Sequence, residues 1–169
     1  LIDLDRLADE GLLKKEEIQD IPWGSNPARV DFGAMYAHRM NVLRQAFQRF
    51  TPDGAYETFV EQNRNWLEDY ALFMSLKDLH QGRSWHEWSP QYQVLDARTR
   101  KAALTELTDS ITYYQFIQFI FFKQWHELKL YANKKGISVI GDIPIFVSPD
   151  SADVWANQSL FKLDSKGFP

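Results

Sequence analysis

Cysteine is absent from the sequence of 169 residues. Disulfide bonds and thiolate metal sites are therefore excluded, and the composition suits a reducing compartment, so we expect a cytoplasmic protein. Basic residues are fewer than acidic ones, since 19 Lys and Arg stand against 23 Asp and Glu and give a formal net charge of -4. No basic stripe is available to neutralise phosphates, and we expect no nucleic-acid partner.

Long apolar runs, phosphate-binding glycine loops and metal-ligand spacings are also missing. The most apolar segment is interrupted by Gln115, Gln118, Lys123 and Gln124, so it is too short to cross a bilayer, and we expect no membrane partner. The four His residues are scattered, and we predict neither a cofactor nor a metal site. The sequence starts with Leu and ends with Pro, which leads us to expect a piece of a longer protein.

The composition is that of a globular domain, with 44% hydrophobic, 25% charged and 15% aromatic residues. Apolar residues recur mostly at helical spacing. This spacing predicts two short helices within 1–20 and longer ones at 32–50, 55–79 with a break near Asn63, 96–107 and 109–135. Asp31 is predicted to be the N-cap of helix 32–50. Loops are predicted at 21–30, which includes Pro27, and at 85–90, where the tryptophans are better explained by packing than by ligand stacking.

The predicted helix 109–135 is apolar almost all round for three turns. A helix of this kind in a water-soluble protein must be buried from several sides. The other predicted helices are too few to cover it, so we expect more protein to pack against it. We predict helix 96–107, in contrast, to be polar and solvent-facing.

The stretch 136–147 organises the rest of the chain. Gly136 follows two lysines where a helix C-cap glycine belongs, and Ile137–Ile140 then has the pattern of a short strand covered on both faces, as in a parallel sheet. Asp142 would lie at the carboxyl end of that strand, where ligands bind in α/β proteins. An Asp that only caps a turn would show the same pattern, and both interpretations stay open.

Further polar and aromatic residues follow this predicted strand. Asp150, Asp153 and Trp155 could form part of a sugar site, because carboxylates bind sugar hydroxyls and aromatic rings cover the apolar face of a pyranose. Capping and packing explain them equally well. Phe161 and Leu163 are predicted to lie on another short strand, before a tight turn at 164–167.

The sequence resembles the 4-alpha-glucanotransferases, also called amylomaltases or disproportionating enzymes (glycoside hydrolase family 77). The segments that carry the resemblance run in the family's order along nearly the whole chain. They are Val30–Gly33 with Tyr36, Trp66–Met74, Phe121–Trp125, Gly141–Val147, Asp150–Asn157, Leu160–Phe161 and Leu163–Asp164 with Gly167 and Pro169. Amylase relatives have a His at the end of the corresponding strand motif, and its absence here favours the glucanotransferases.

The resemblance implies an α/β fold, namely part of a (β/α)₈ TIM barrel that is mainly α-helical in this piece, with few short parallel strands. Residues 1–135 would form a helical inserted subdomain with a barrel helix, and 136–169 the third barrel strand and its loop. The family transfers α-1,4-glucan segments to the 4-hydroxyl of glucose or a maltooligosaccharide and retains the configuration. Its nucleophile and acid/base lie on later strands, so no catalytic residue is assigned here.

Three substrate contacts are predicted. The resemblance places Asp142 near the donor sugar and Tyr36 at an accessory glucan-binding site, and Trp155 is added as a sugar-stacking candidate. Phe32 stands where the family usually has Tyr, a departure that does not affect Tyr36. The alternative function is a helical module that binds glucan or protein without catalysis. A transferase piece predicts a large exposed apolar surface on helix 109–135 and the strand, whereas a module predicts a closed core.

Overall fold

The structure is a computed structural model that describes residues 1–26 and 28–169. Pro27, in the predicted loop 21–30, lies outside the described residues. The helices are Leu4–Asp9 (α1), Glu16–Gln19 (α2), Phe32–Arg49 (α3), Gly54–Gln62 (α4), Arg64–Leu79 (α5), Pro90–Gln93 (α6), Ala97–Glu106 (α7), Thr108–Lys134 (α8) and Ala152–Ala156 (α9). Short 3-10 turns occupy Trp85–Glu87 and Gln158–Leu160.

In the described residues, side-chain caps fix where five helices begin, and three of these are the longer helices α3, α4 and α7. Asp31, Asp53 and Asp96 each accept a hydrogen bond from the backbone N–H three residues later, at 2.9, 2.8 and 2.6 Å. Such a cap satisfies one of the N–H groups that a helix leaves unpaired at its start. The predicted cap at Asp31 is confirmed, and so is the break near Asn63, which ends α4 and precedes α5.

Gly136 ends the longest helix as predicted. Its φ is +76°, a left-handed conformation that favours glycine. Its N–H donates to the carbonyl of Asn133, and the N–H of Ile137 donates to that of Ala132, both at 3.0 Å. This pair of bonds is the Schellman motif, which satisfies the last carbonyls of a helix and turns the chain sharply away from the α8 axis.

Helix α8 is the central element of the fold. Helix α5 packs along it, and α3, α4 and α7 also contact it. Tyr113, Phe116 and Ile120 of its N-terminal half are buried almost completely. Rings from α3 and its C-cap residue lie against them, with Phe47 5.5 Å and Phe50 4.8 Å from the ring of Phe116. Burial of α8 from several sides is therefore confirmed for this half of the helix.

The predicted strand Ile137–Ile140 is wrong for this structure, and no β-strand occurs within 1–26 and 28–169. Every residue from 137 to 149 is exposed, including Ile140 at 93%. A strand is stabilised by hydrogen bonds to a neighbouring strand, and no described segment runs beside this one to supply them. Apolar β-branched side chains alone do not hold an isolated segment in a sheet conformation.

The second predicted strand, around Phe161 and Leu163, is also wrong, because the backbone there is irregular. The turn at 164–167 is confirmed. The N–H of Asp164 donates to the carbonyl of Phe168 at 2.7 Å, and its Oδ1 accepts from the N–H groups of Lys166 and Phe168. These backbone N–H groups lower the pKa of Asp164, since they stabilise the ionised carboxylate.

The fold of the described residues is consequently helical rather than α/β. Residues 148–169, which include α9, form a tail that packs on α5 and on residues 84–93. The division into 1–135 and 136–169 stays a prediction, as does the barrel.

Candidate functional site

Asp142 lies in the exposed segment 137–149, seven residues beyond the C-cap residue of α8, Lys135. Its Oδ1 accepts a hydrogen bond of 2.8 Å from the N–H of Ile143. This bond orients the carboxylate while leaving it open to solvent. Asp142 is thus an exposed residue on irregular backbone, and its second oxygen is open to solvent.

Tyr36 projects from the first turns of α3 and is 82% exposed. Phe32, one helical turn earlier, is also exposed. Residues four apart lie on the same helix face, so the two rings belong to one aromatic surface. A shallow hollow of about 320 Å³ adjoins Phe32 and is lined by Ser25, Asn26, Arg29, Val30 and Asp31. Flat, solvated rings beside polar groups can cover the apolar face of a sugar.

Trp155 is placed differently, because it is only 4% exposed. Its ring lies 5.7 Å from that of Phe73 and 5.9 Å from that of Trp88, and its Nε1 donates to the carbonyl of Tyr92 at 2.8 Å. The indole therefore anchors α9 to the helical body. One edge still reaches a cavity of about 260 Å³, whose other lining residues are Val94, Leu95, Arg100, Ala156, Gln158 and Ser159.

Asp150 is engaged in the fold rather than open to a ligand. Its Oδ2 lies 2.6 Å from the Nζ of Lys77, and its Oδ1 accepts from the N–H of Trp85 at 3.3 Å. Asp153 is exposed in the first turn of α9, where a negative charge suits the helix dipole. The aromatic loop is packed, as predicted, with Trp85 and Trp88 each buried.

The structure does not bring the three predicted contacts together. Within the described ranges, no hydrogen bond or ring contact links any two of Tyr36, Asp142 and Trp155. They lie on three separate elements: the first turns of α3, the exposed segment 137–149, and α9. Each would have to meet a substrate as an independent contact.

The sequence reasoning missed Arg100, on the helix that we predicted to be merely solvent-facing. Its Nη2 lies 2.7 Å from Glu68 and 2.6 Å from Asp69, so the residue joins α7 to α5. Burial acts to lower the Arg100 pKa, but the two carboxylates outweigh it and the pKa is raised. The signal in the sequence is the adjacent Glu68-Asp69 pair, two carboxylates that together can bind one guanidinium.

An apolar surface covers the C-terminal half of α8. Trp125, Leu128, Leu130 and Tyr131 are exposed, as are Ile143, Ile145 and Phe146 in the following segment. A cavity of about 740 Å³ opens between this half of α8 and the first residues of the chain, Leu1, Asp3 and Arg6. The large exposed apolar surface expected of a transferase piece is thus present among the described residues, and it disfavours the closed core expected of a separate module.

Among the described residues, no group of three or more His, Asp or Glu side chains is arranged to hold a metal ion. Each helix in those same ranges is too short or too polar to pass through a bilayer.

All of residues 1–169 match the family model described as 4-alpha-glucanotransferase. The chain therefore belongs to the 4-alpha-glucanotransferase family, glycoside hydrolase family 77. It is 41% identical over 97% of its length to the 4-alpha-glucanotransferase of Synechocystis sp. and 40% identical over 100% of its length to that of Thermus thermophilus. The Solanum tuberosum relative, described as chloroplastic/amyloplastic, is 34% identical over 100% of the chain.

A solved structure contains the same arrangement of helices as this chain. An amylomaltase from Streptococcus agalactiae, in complex with acarbose, superposes on 100% of the chain with a TM-score of 0.93 at 36% identity. The chain covers 35% of that protein and 34% of the Synechocystis relative. It thus spans about a third of the length of the proteins that it matches.

Proposed function

We propose that this chain is a substrate-contacting part of a 4-alpha-glucanotransferase and that it precedes the catalytic carboxylates in the sequence. The longer protein would transfer a segment of α-1,4-glucan to the 4-hydroxyl of glucose or a maltooligosaccharide, with retention of configuration. The family match across residues 1–169, which includes Gly141–Val147, carries the proposal. The complex of the amylomaltase neighbour with acarbose supports a carbohydrate ligand.

Retention of configuration needs a nucleophilic carboxylate and a second carboxyl group as acid/base, roughly 5 Å apart. We assign neither to this chain and expect both in the remaining two thirds of the longer protein. Asp142 would instead orient the donor sugar. Because Oδ1 is engaged by Ile143, we assign Oδ2 to a sugar hydroxyl, in a charge-assisted hydrogen bond.

Tyr36 would serve an accessory glucan-binding surface with the neighbouring ring of Phe32. Their exposure on one face of α3 supports this role, since successive sugars could lie across both rings. Trp155 would contact substrate only through the edge that reaches the 260 Å³ cavity, because the rest of its ring is packed. Its role is therefore secondary to that of Asp142.

We further propose that residues 137–140 form a barrel strand in the longer protein, with residues 1–135 as a helical insertion and barrel helix. The exposed apolar side chains of this segment and of α8 support the idea, since burial of apolar surface is favourable. The same surface disfavours a self-contained binding module. A cytoplasmic location is proposed on the absence of cysteine, which suits a reducing compartment.

The test is an Asp142→Asn substitution in the longer transferase, assayed by disproportionation of maltotriose. We expect a loss of around a hundredfold in kcat/KM with an unchanged melting temperature, which corresponds to about 2.7 kcal/mol of transition-state stabilisation. Asp20→Asn, an exposed carboxylate at the end of α2, is the matched control and should leave activity unchanged. Near-normal activity of the Asp142→Asn variant would assign Asp142 to the turn alone.

Tyr36→Ala separates the accessory surface from the donor site. We expect this variant to keep normal activity on maltotriose and to raise KM for long glucans severalfold, since only a long chain reaches both places. Equal effects on short and long substrates would contradict the accessory role.

A further inference from the structure

Within residues 1–26 and 28–169, the segment that carries Asp142 is held at its two ends alone. Helix α8 and the turn at Gly136 fix one end, and the segment rejoins the packed structure at Asp150. Every residue from 137 to 149 is exposed. Within residues 137–148, the sole hydrogen bond that involves a side chain is the one from the Ile143 N–H to Oδ1 of Asp142. The next one along the chain is made by the carbonyl of Pro149. In the longer protein the proposed strand 137–140 would hold the first end, and Asp142 then lies between that strand and the second end at Asp150. Its position therefore depends on how both are fixed.

The second end is fixed by three polar contacts around one peptide unit. Asp150 pairs with Lys77 at 2.6 Å through Oδ2 and accepts the N–H of Trp85 at 3.3 Å through Oδ1. The indole Nε1 of Trp85 donates to the carbonyl of Pro149 at 2.8 Å. The Lys77 and Asp150 side chains are 22% and 35% exposed, so the pair is partly withdrawn from water. Removal of one partner would leave a poorly solvated charge behind.

We call these contacts of Pro149 and Asp150 the anchor. The residues on its other side belong to packed parts of the structure. Trp85 is buried at the start of the 84–93 turn, and Lys77 lies in the last turn of α5, which packs along α8. Residues 84–93 also hold the rest of the 148–169 tail, by three further hydrogen bonds of 2.8 Å. These run from Trp155 Nε1 to the Tyr92 carbonyl, from Gln158 Nε2 to the Gln93 carbonyl, and from His86 Nε2 to the Gly167 carbonyl.

We propose that Lys77 and Asp150 are positioning residues, which set the place of the Asp142 carboxylate by fixing the end of its segment. The inference rests on the proposed function, because it presupposes that Asp142 meets the donor sugar. The anchor itself touches no substrate. It acts through Asp142, and loss of the ion pair should therefore matter only while Asp142 is present to be positioned.

The experiment is a double-mutant cycle in the longer transferase, with kcat/KM for maltotriose measured well below the melting temperature. Lys77→Met is combined with Asp142→Asn. We expect Lys77→Met to lower kcat/KM tenfold or more beside Asp142, and less than twofold beside Asn at that position. A residue that only supports the fold would give the same fold-loss in both backgrounds, or none in either, and that result would overturn the proposal.

Two further variants keep the result interpretable. Lys77→Arg retains the positive charge and should restore activity to within threefold of the unsubstituted enzyme. Asp150→Asn keeps the size of the side chain and an oxygen for Trp85, and it should repeat the coupled loss of Lys77→Met even if that variant folds poorly. Failure of the coupling in both Lys77→Met and Asp150→Asn would refute the anchor.

The matched control is the ion pair between Lys123 and Glu10, which has a similar distance of 2.8 Å and exposures of 38% and 35%. Lys123→Met should change kcat/KM less than twofold in either background. The cycle also separates the two hypotheses. If Asp142→Asn alone leaves activity intact, the proposed donor contact fails and the anchor has nothing to position. If Asp142→Asn is impaired and Lys77→Met is not, the positioning role alone is refuted.

Discussion

The hydroxyl of Tyr114 donates a hydrogen bond of 2.8 Å to Oδ2 of Asp78, and so joins the central helix α8 to the last turn of α5. The guanidinium of Arg44 reaches the same oxygen at 3.1 Å and lies 4.2 Å from the ring centroid of Tyr113. One carboxylate therefore connects α3, α5 and α8. Burial and the neighbouring Asp78 charge raise the pKa of Tyr114 well above its ordinary value.

This cluster predicts a loss of stability in alkali. Burial raises the pKa of Tyr113 from 10.0 to about 12. Because the folded pKa exceeds the unfolded one, the contribution of the neutral hydroxyl is complete below pH 10 and is lost as the pH rises toward 12. Between pH 10 and 12, the unfolding free energy measured in urea should fall less steeply with pH for Tyr113→Phe than for the unsubstituted chain. The two slopes should differ by up to about 1.4 kcal/mol per pH unit.

Other groups also titrate in that range, so the difference between the two proteins is the quantity to compare. Identical slopes for Tyr113→Phe and the unsubstituted chain would mean that the tyrosine titrates equally in the folded and unfolded states.

Gly167 leaves room for the indole of Trp85. A Cβ at position 167 would lie 2.4 Å from Cη2 of that ring, and the φ of +82° disfavours any residue with a side chain. We expect Gly167→Ala to lower the unfolding free energy by the left-handed cost of about 1–2 kcal/mol and to displace the buried indole in addition. Thermal or urea unfolding measures the loss, and near-ultraviolet circular dichroism reports the indole.

Gly11→Ala is the control for the cost of the left-handed backbone conformation alone, because Gly11 has a φ of +78° with no atom within 4 Å of the added Cβ. The Gly167 variant should be the less stable of the two. Equal losses would show that the Trp85 ring yields without cost.

Leu72 and Leu79 lie on the same helix but in opposite surroundings. Leu72 is 0% exposed and Leu79 is 54% exposed. Leu72→Ala removes contacts from the buried core and leaves a cavity, so we expect a loss of about 2–5 kcal/mol in unfolding free energy. Leu79→Ala should change it by less than about 0.5 kcal/mol. Similar losses for the two variants in urea titrations would place the core elsewhere than on this face of α5.

Glu17 and Arg49 predict sensitivity to acid. Hydrogen bonds from Arg49, then from the Lys14 N–H, lower the pKa of Glu17 from 4.5 to about 2. A lowered folded pKa means that the stabilisation is complete above pH 4.5 and is lost as the pH falls to 2. The melting temperature of Glu17→Gln should lie below that of the unsubstituted chain at pH 7, with the gap closing by pH 2. A gap independent of pH would assign the effect to shape rather than to charge.

Local signals accounted for much of the helical architecture. Asp31, Gly136 and Asn63 mark a helix start, a helix end and a helix break in the sequence, and each has that role in the structure. These features depend on neighbours within a few residues, so a short stretch of sequence contains their physical cause. The apolar pattern of 109–135 likewise predicted a buried helix.

The sequence by itself determined the absence of disulfides, the helical periodicity, the family resemblance and the candidate contacts Tyr36 and Asp142. Only the tertiary structure decided that Trp155 is packed, that Arg100 joins α7 to α5, and that Asp150 pairs with Lys77 across 73 residues of chain. It also decided that 137–140 is not a strand where no neighbouring strand pairs with it. The physical reason is the same in each case: burial, ion pairing and strand pairing depend on partners distant in sequence, which local pattern does not specify.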